Sequence, residues 1–415
     1  MSGNYTSLKA IFMKRTITYF ILFVAAACSK KSSGGGNGGG GNNTPSATMS
    51  ISSTTVARQD TTSHARFFVS LNATPAKDVT VNYATQDSTA KAGVDYTATT
   101  GTLTIKAGTS ESYFDVPVLG DSLRQNPQVF NVVLSSPTNA VLGTSTASAT
   151  ITNDGLYLPV DTTNGFSSPS VRPGYTLAWS DEFNTGHTLN TNNWNYESGG
   201  SGWGNQELEN YTDRVQNSFL SSGALIIEAR QESYGGNNYT SARIDTYGKE
   251  TPTYGRIDIR AKLPVSKGMW PALWMLGTDI NTGTAWPACG EMDIMELIGT
   301  YPAQVTGSIH WLQANNTEGT FNNNYDLPAG QDFSKAFHVF SEIWTADSVT
   351  YLVDDQVYVR ASYQANVTSG VNPFNSPYFF IFNVAVGGNW PGNPDASTIF
   401  PQRMFVDYVR VFAKN

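Results

Sequence analysis

The run WPACGEMDIMEL, Trp286 to Leu297, decides the fold, because it packs three carboxylates into six residues among apolar side chains. Acid and apolar residues alternate from Glu291 to Ile294, the period-two pattern of a strand with one buried face. In a regular strand Glu291 and Asp293 would share a face with residue 295, and Glu296 would point the other way. A one-residue bulge at Ile294 and Met295 returns Glu296 to the face of the other two acids, and bulges re-aim side chains beside active sites. Met292, Ile294, Met295 and Leu297 demand burial on the opposite side. Three acids so placed are costly unless something uses them.

Working outward, LIIEAR, RIDIRAKL, MWPALWML, VTYLVDD, YFFIFNVAV and MFVDYVRVF are further strands separated by Gly, Pro and Asn, with no long helical periodicity. Roughly 240 residues of this kind call for two large packed antiparallel sheets, which we expect to be curved. Upstream, MSISSTTVAR, ARFFVSLNA, DVTVNYAT, GTLTIKAG, SYFDVPVLG, QVFNVVLSS and ASATITND follow at regular spacing and predict a seven-stranded β-sandwich. Two domains suit a chain of 415 residues.

Before them, MKRTITYFILFVAAAC from Met13 to Cys28 has a basic start at Lys14 and Arg15 and an apolar run too short to span a bilayer. It reads as a signal peptide with Met13 as the start. The small residues Ala25, Ala26 and Ala27 before Cys28 resemble a bacterial lipobox, which implies lipidation of Cys28 and a membrane partner through the lipid, at the outer membrane or cell surface. Residues 29–46, SKKSSGGGNGGGGNNTPS, have nothing to bury and are expected to be a flexible tether.

The net charge of -8 and the lack of a Lys/Arg cluster beyond the N-terminal region exclude a nucleic-acid partner. Two cysteines in the chain exclude a disulfide scaffold, and Cys289 reads as a small buried residue rather than a nucleophile. Aromatic residues make up 12% of the chain, an excess that suits sugar recognition. No self-complementary patch is visible, so a monomer is expected.

Residues 47–154 resemble a Calx-beta domain on VNYATQDSTAKAGVDY, GTLTIKAG and VFNVVLSSPTNAVLG. Several such domains bind Ca²⁺ through acidic residues at one end of the sandwich. Here Arg58, Gln125 and Gln128 replace acids, leaving Asp95, Asp121 and Asp154, so a spacer or adhesion role is expected. A linker is expected over 155–173.

Residues 174–415 resemble glycoside hydrolase family 16. The likeness rests on the bulged signature E-x-D-x-x-E at Glu291–Glu296, with WSDEFN, WGNQELENYT, GMWPALWML, GSIHW, FNVAVGGNWPG and FPQRMFVDYVRVF around it. It implies an all-β chain: the N-terminal sandwich followed by a curved two-sheet jelly roll of concanavalin-like type. It makes Glu291 the nucleophile, Glu296 the acid/base and Asp293 their assistant. Two carboxylates about 5–5.5 Å apart hydrolyse a glycosidic bond with retention.

WGNQELENYT and WPALW look like laminarinases, implying endo-hydrolysis of β-1,3-glucan. Mixed-linkage glucan, agarose and carrageenan remain alternatives, as does a non-catalytic glucan-binding protein. Trp270, Trp274 and Trp286 would offer faces to glucosyl rings, and Asn205, Arg243 and His310 would bond hydroxyls. By the same resemblance a structural Ca²⁺, not needed for the chemistry, would sit on Glu182, the carbonyl of Gly223 and Asp407.

Overall fold

The computed structural model describes residues 47–125, 127–152, 155, 157–367 and 372–415. Cys28, the signal peptide, the tether and Asp154 lie outside the described residues. The remainder from Ala47 onward is one compact unit holding two β-sandwiches.

The front sandwich has nine strands among the described residues rather than the expected seven, in sheets of four and five. The run MSISSTTVAR supplies two of them. Ala47–Ile51 pairs with Ser63–Leu71, and after Ser52 and Ser53 the chain crosses to the other sheet, where Thr54–Ala57 pairs with Thr146–Thr152. Ala140–Leu142 is the other addition. Alternation does the packing: in Ser63–Leu71, Ala65, Phe67, Val69 and Leu71 point inward and Arg66 and Phe68 outward. Among the residues singled out at one end of the sandwich, Arg58 is buried and bonded to Asp95 at 2.7 Å, to Asp121 and to Gln128 at 3.2 Å, so its guanidinium already balances both carboxylates.

The second sandwich packs a ten-stranded sheet against a seven-stranded one. The seven-stranded sheet runs in the order Asn195–Glu197, Arg243–Asp245, Tyr378–Val386, Met269–Gly277, Glu291–Glu296, Gln304–Leu312, Glu318–Asp326. Its neighbouring pairs are antiparallel. Met275, Met292, Ile294, Met295, Ile309 and Phe382 belong to the core between the sheets. YFFIFNVAV is buried at every position because one face meets this core and the other lies under the aromatic side chains of the opposite surface.

The stretch expected as a linker is instead a strap bonded to the ten-stranded sheet. Arg260 donates to the carbonyls of Phe166 at 2.5 Å, Thr162 at 2.7 Å and Asn164 at 3.2 Å. Arg410 donates to Ser168 O at 3.0 Å, and Arg172 to Asp258 at 2.9 Å. The two sandwiches also meet directly. Arg124 of the front domain is buried, bonds Glu228 at 3.0 Å and Gln216 O at 2.6 Å, and lies 4.2 Å over the Phe219 ring. Glu228 also receives Arg230 and Arg403, so one buried carboxylate gathers three guanidiniums.

Candidate active site

The strand Glu291–Glu296 carries the expected bulge. On one side Trp274 faces Asp293 and Leu273 faces Met295; on the other Asp293 faces Ser308 and Glu296 faces Thr306. Ile294 is the extra residue on the first side, and Gly307 alone opposes Ile294 and Met295 on the second. Ile294 and Met295 therefore both sit in the core, fully buried, while Glu296 emerges on the face of Glu291 and Asp293.

That face floors a cleft of about 710 Å³. Every residue expected to bind substrate lines it: Asn205, Arg243, Trp270, Trp274, Trp286 and His310, together with all three acids. Trp286 donates its indole N–H to Glu291 Oε2 at 2.9 Å, and Trp270 donates to Glu296 Oε1 at 3.0 Å. Ser308 Oγ stands 3.4 Å from Glu296 Oε2. Trp274 donates its indole N–H to Asn383 at 2.8 Å. Arg243 pairs with Glu197, its guanidinium 4.9 Å from the Trp203 ring and 4.8 Å from Trp274.

Asp293 is buried and reaches His310 rather than Glu291: His310 Nε2 lies 3.1 Å from Asp293 Oδ2, and Nδ1 lies 2.6 Å from Glu318. His310 stands on the neighbouring strand and pairs across the ladder with Glu291.

The electrostatics push both glutamates in the same direction. Burial, then the charge of Asp293, push the Glu296 carboxyl up to about 8, against the N–H of Trp270. A carboxylic acid in that state carries its proton at neutral pH. Burial and Asp293 also raise Glu291, opposed by the His310 cation and the Trp286 N–H. Burial disfavours charge on His310, but Asp293, Glu291 and Glu318 outweigh it and lift the imidazole to about 10. The cleft thus carries a fixed cation beside the acids.

Trp203, Trp390, Glu318 and Asn383 also line the cleft and were not singled out from the sequence. Trp390 meets Trp270 edge to face at 5.4 Å; its only signal was its place in FNVAVGGNWPG. Cys289 is a free, buried thiol pushed up to about 11 by burial and the charge of Glu291, which suits the expected packing role.

The profile of the glycosyl hydrolases family 16 matches residues 203–410. The chain belongs to that family. It is a glycoside hydrolase of the laminarinase-like kind, and the profile of the Calx-beta domain matches residues 42–155. A beta-glucanase of Rhodothermus marinus is 42% identical over 251 residues, 58% of this chain and 86% of the relative. A glucan endo-1,3-beta-glucosidase of Cryptopygus antarcticus is 39% identical over 258 residues, 58% of this chain and 93% of the relative. The laminarinase catalytic domain of Thermotoga maritima superposes with a TM-score of 0.54 at 46% identity, covering 58% of this chain and 99% of the other.

The calcium ligands expected from the family do not assemble as a cation site. Glu182 is held by Arg410 through both oxygens, at 2.8 and 2.7 Å, and Asp407 by Arg260 at 2.7 Å. These four side chains share one small cavity, and Gly223 is not among the residues lining it. Two guanidiniums already balance the two carboxylates, so the set does not fit a divalent ion that seeks anionic oxygens. A second cluster, Glu291, Asp293 and His310, has ligand atoms within 4.8 Å of one another, but it belongs to the cleft floor already described.

Proposed function

We propose that the chain is an endo-hydrolase of β-1,3-glucan that works by double displacement. The observation that carries this reading is the bulge, which brings Glu291 and Glu296 to one cleft face with Asp293 between them. Glu291 has one oxygen tied by Trp286 and the other available to attack C1 of a glucosyl unit. As the C1–O bond breaks, protonated Glu296 gives its proton to the leaving oxygen, and C1 becomes bonded to Glu291. Glu296, now a base, takes a proton from water, whose oxygen attacks C1 and releases Glu291; two inversions give net retention.

The substrate follows from the relatives and from Trp270, Trp286 and Trp390, which border a cleft suited to stacked sugar rings. A glucan-binding protein would have no use for a protonated acid facing a second carboxylate. Incubation with laminarin, lichenan, agarose and carrageenan, with products read by chromatography, tests the substrate. Release from agarose but not laminarin overturns it. Retention predicts β-anomer first by NMR, and Glu291→Gln is expected to abolish turnover.

We also propose that the protein is a lipoprotein anchored through Cys28, on the strength of the lipobox-like AAAC sequence. Metabolic labelling with a fatty acid should mark the wild type and not Cys28→Ala; equal labelling would refute the anchor.

A further inference from the structure

A bulge frees a backbone carbonyl, and in a dry core that carbonyl must find a partner or the strand returns to regular register. Here the extra residue is Ile294, fully buried. Its carbonyl accepts a hydrogen bond at 2.8 Å from the hydroxyl of Tyr358. Tyr358 belongs to the strand Gln356–Ser362 of the opposite sheet, so its ring crosses the whole core to reach the catalytic strand.

Two further features build this contact. Gly307, the single residue opposing the bulge, leaves the passage open: a Cβ there would lie 2.5 Å from the Tyr358 hydroxyl and 2.7 Å from the Tyr351 ring. Asn323, which pairs with Gly307 in the next strand, donates its side-chain amide to the Tyr358 carbonyl at 2.7 Å and fixes the base of the strut. Ile294, Gly307, Asn323 and Tyr358 therefore form one row across the sandwich.

We propose that Tyr358 is a positioning residue for the hydrolysis: its hydroxyl, admitted by Gly307, locks the bulge that aims Glu296 into the cleft. Without the strut, the row is free to relax toward regular alternation, which turns Met295 to the cleft and Glu296 to the core. The proposal rests on Glu296 as the acid/base.

The test compares Tyr358→Phe with Tyr351→Phe. Tyr351 is a second tyrosine of the same buried layer, whose hydroxyl bonds Ser308 O at 3.0 Å in the ordinary ladder. Both variants keep the ring and lose one buried hydrogen bond, so similar falls in Tm are expected. Tyr358→Phe should lower kcat on laminarin by roughly tenfold or more through displacement of the acid, with KM within about twofold. It should also move the alkaline limb of the kcat profile. Tyr351→Phe should keep kcat within about threefold.

Gly307→Ala, which drives the hydroxyl aside, should reproduce the kcat loss. The proposal is overturned if Tyr358→Phe or Gly307→Ala keeps wild-type kcat and pH limb, or if Tyr351→Phe loses as much kcat at equal Tm. Glu296→Gln separates the two levels. If it is inactive while Tyr358→Phe is unaffected, the strut fails and the catalytic assignment stands; if it is fully active, the assignment fails.

Discussion

Glu342→Gln is expected to stabilise the protein at alkaline pH and leave it nearly unchanged in acid. Glu342 sits on a central strand of the ten-stranded sheet, flanked by Ile257 and Tyr351, with no exposed surface and, among the described residues, no hydrogen-bond partner for either oxygen. Burial, and then the charge of Asp293, push its carboxyl up to about 8. An unfolded Glu titrates near 4.3, so between that pH and about 8 the folded state binds a proton that the unfolded state has lost, and stability falls as pH rises.

At about 1.4 kcal/mol per pH unit, over three to four units, this one group costs on the order of 4–5 kcal/mol by pH 8. Local rearrangement reduces that, so about 2–4 kcal/mol is expected. A glutamine cannot ionise and keeps the volume. Urea unfolding of wild type and Glu342→Gln at pH 5, 6.5 and 8 should show the stability difference growing with pH in favour of glutamine. Glu291 and Glu296 titrate in both proteins and cancel in that difference. A difference that stays constant across the three pH values would refute the reasoning.

The cleft makes a pH prediction of the same sense on rate. kcat/KM should fall as pH rises through about 8, where Glu296 loses its proton; Trp270→Phe, which removes an N–H favouring the carboxylate, should move that limb to higher pH in a pH–rate profile, and an unmoved limb would contradict the assignment. Arg124→Ala opens the junction between the sandwiches and strips Glu228 of one of its three guanidiniums. A loss of about 3 kcal/mol is expected, read as a lower calorimetric Tm, and no change would show the junction to be energetically idle. Because guanidiniums already pair with Glu182 and Asp407, chelation with EDTA should leave Tm unchanged; a fall of several degrees would restore the calcium reading.

Much of the site was legible because it is written locally. Glu291, Asp293 and Glu296 lie within six residues, and the successive apolar residues Ile294 and Met295 in an otherwise alternating strand are themselves the signature of the bulge. Trp286 reaches Glu291 from five residues away. Strand placement was legible for the same reason, since alternation of period two reports which face is buried. Where the alternation is interrupted by two serines, as at Ser52 and Ser53, one expected strand became two in different sheets.

Contacts between distant segments had no such signal. Glu318 differs in no local way from a solvated acid, yet the adjacent strand brings it to His310, where it joins Asp293 and Glu291 in favouring the imidazolium. The segment 157–173 has the composition of a linker, and contacts with distant residues, among them the carbonyl-seeking Arg260 and Arg410 on the facing sheet, make it a strap. Those arginines sit beside Glu182 and Asp407 for a reason that sequence spacing does not contain.

The sequence by itself determined the local arrangement: three acids and their shared face follow from residue type and strand period. The tertiary structure decided how that arrangement is held and charged. Tyr358 and Ile294 are 64 residues apart, and a hydrogen bond across the core, unlike a side-chain period, leaves no trace until the sheets pack.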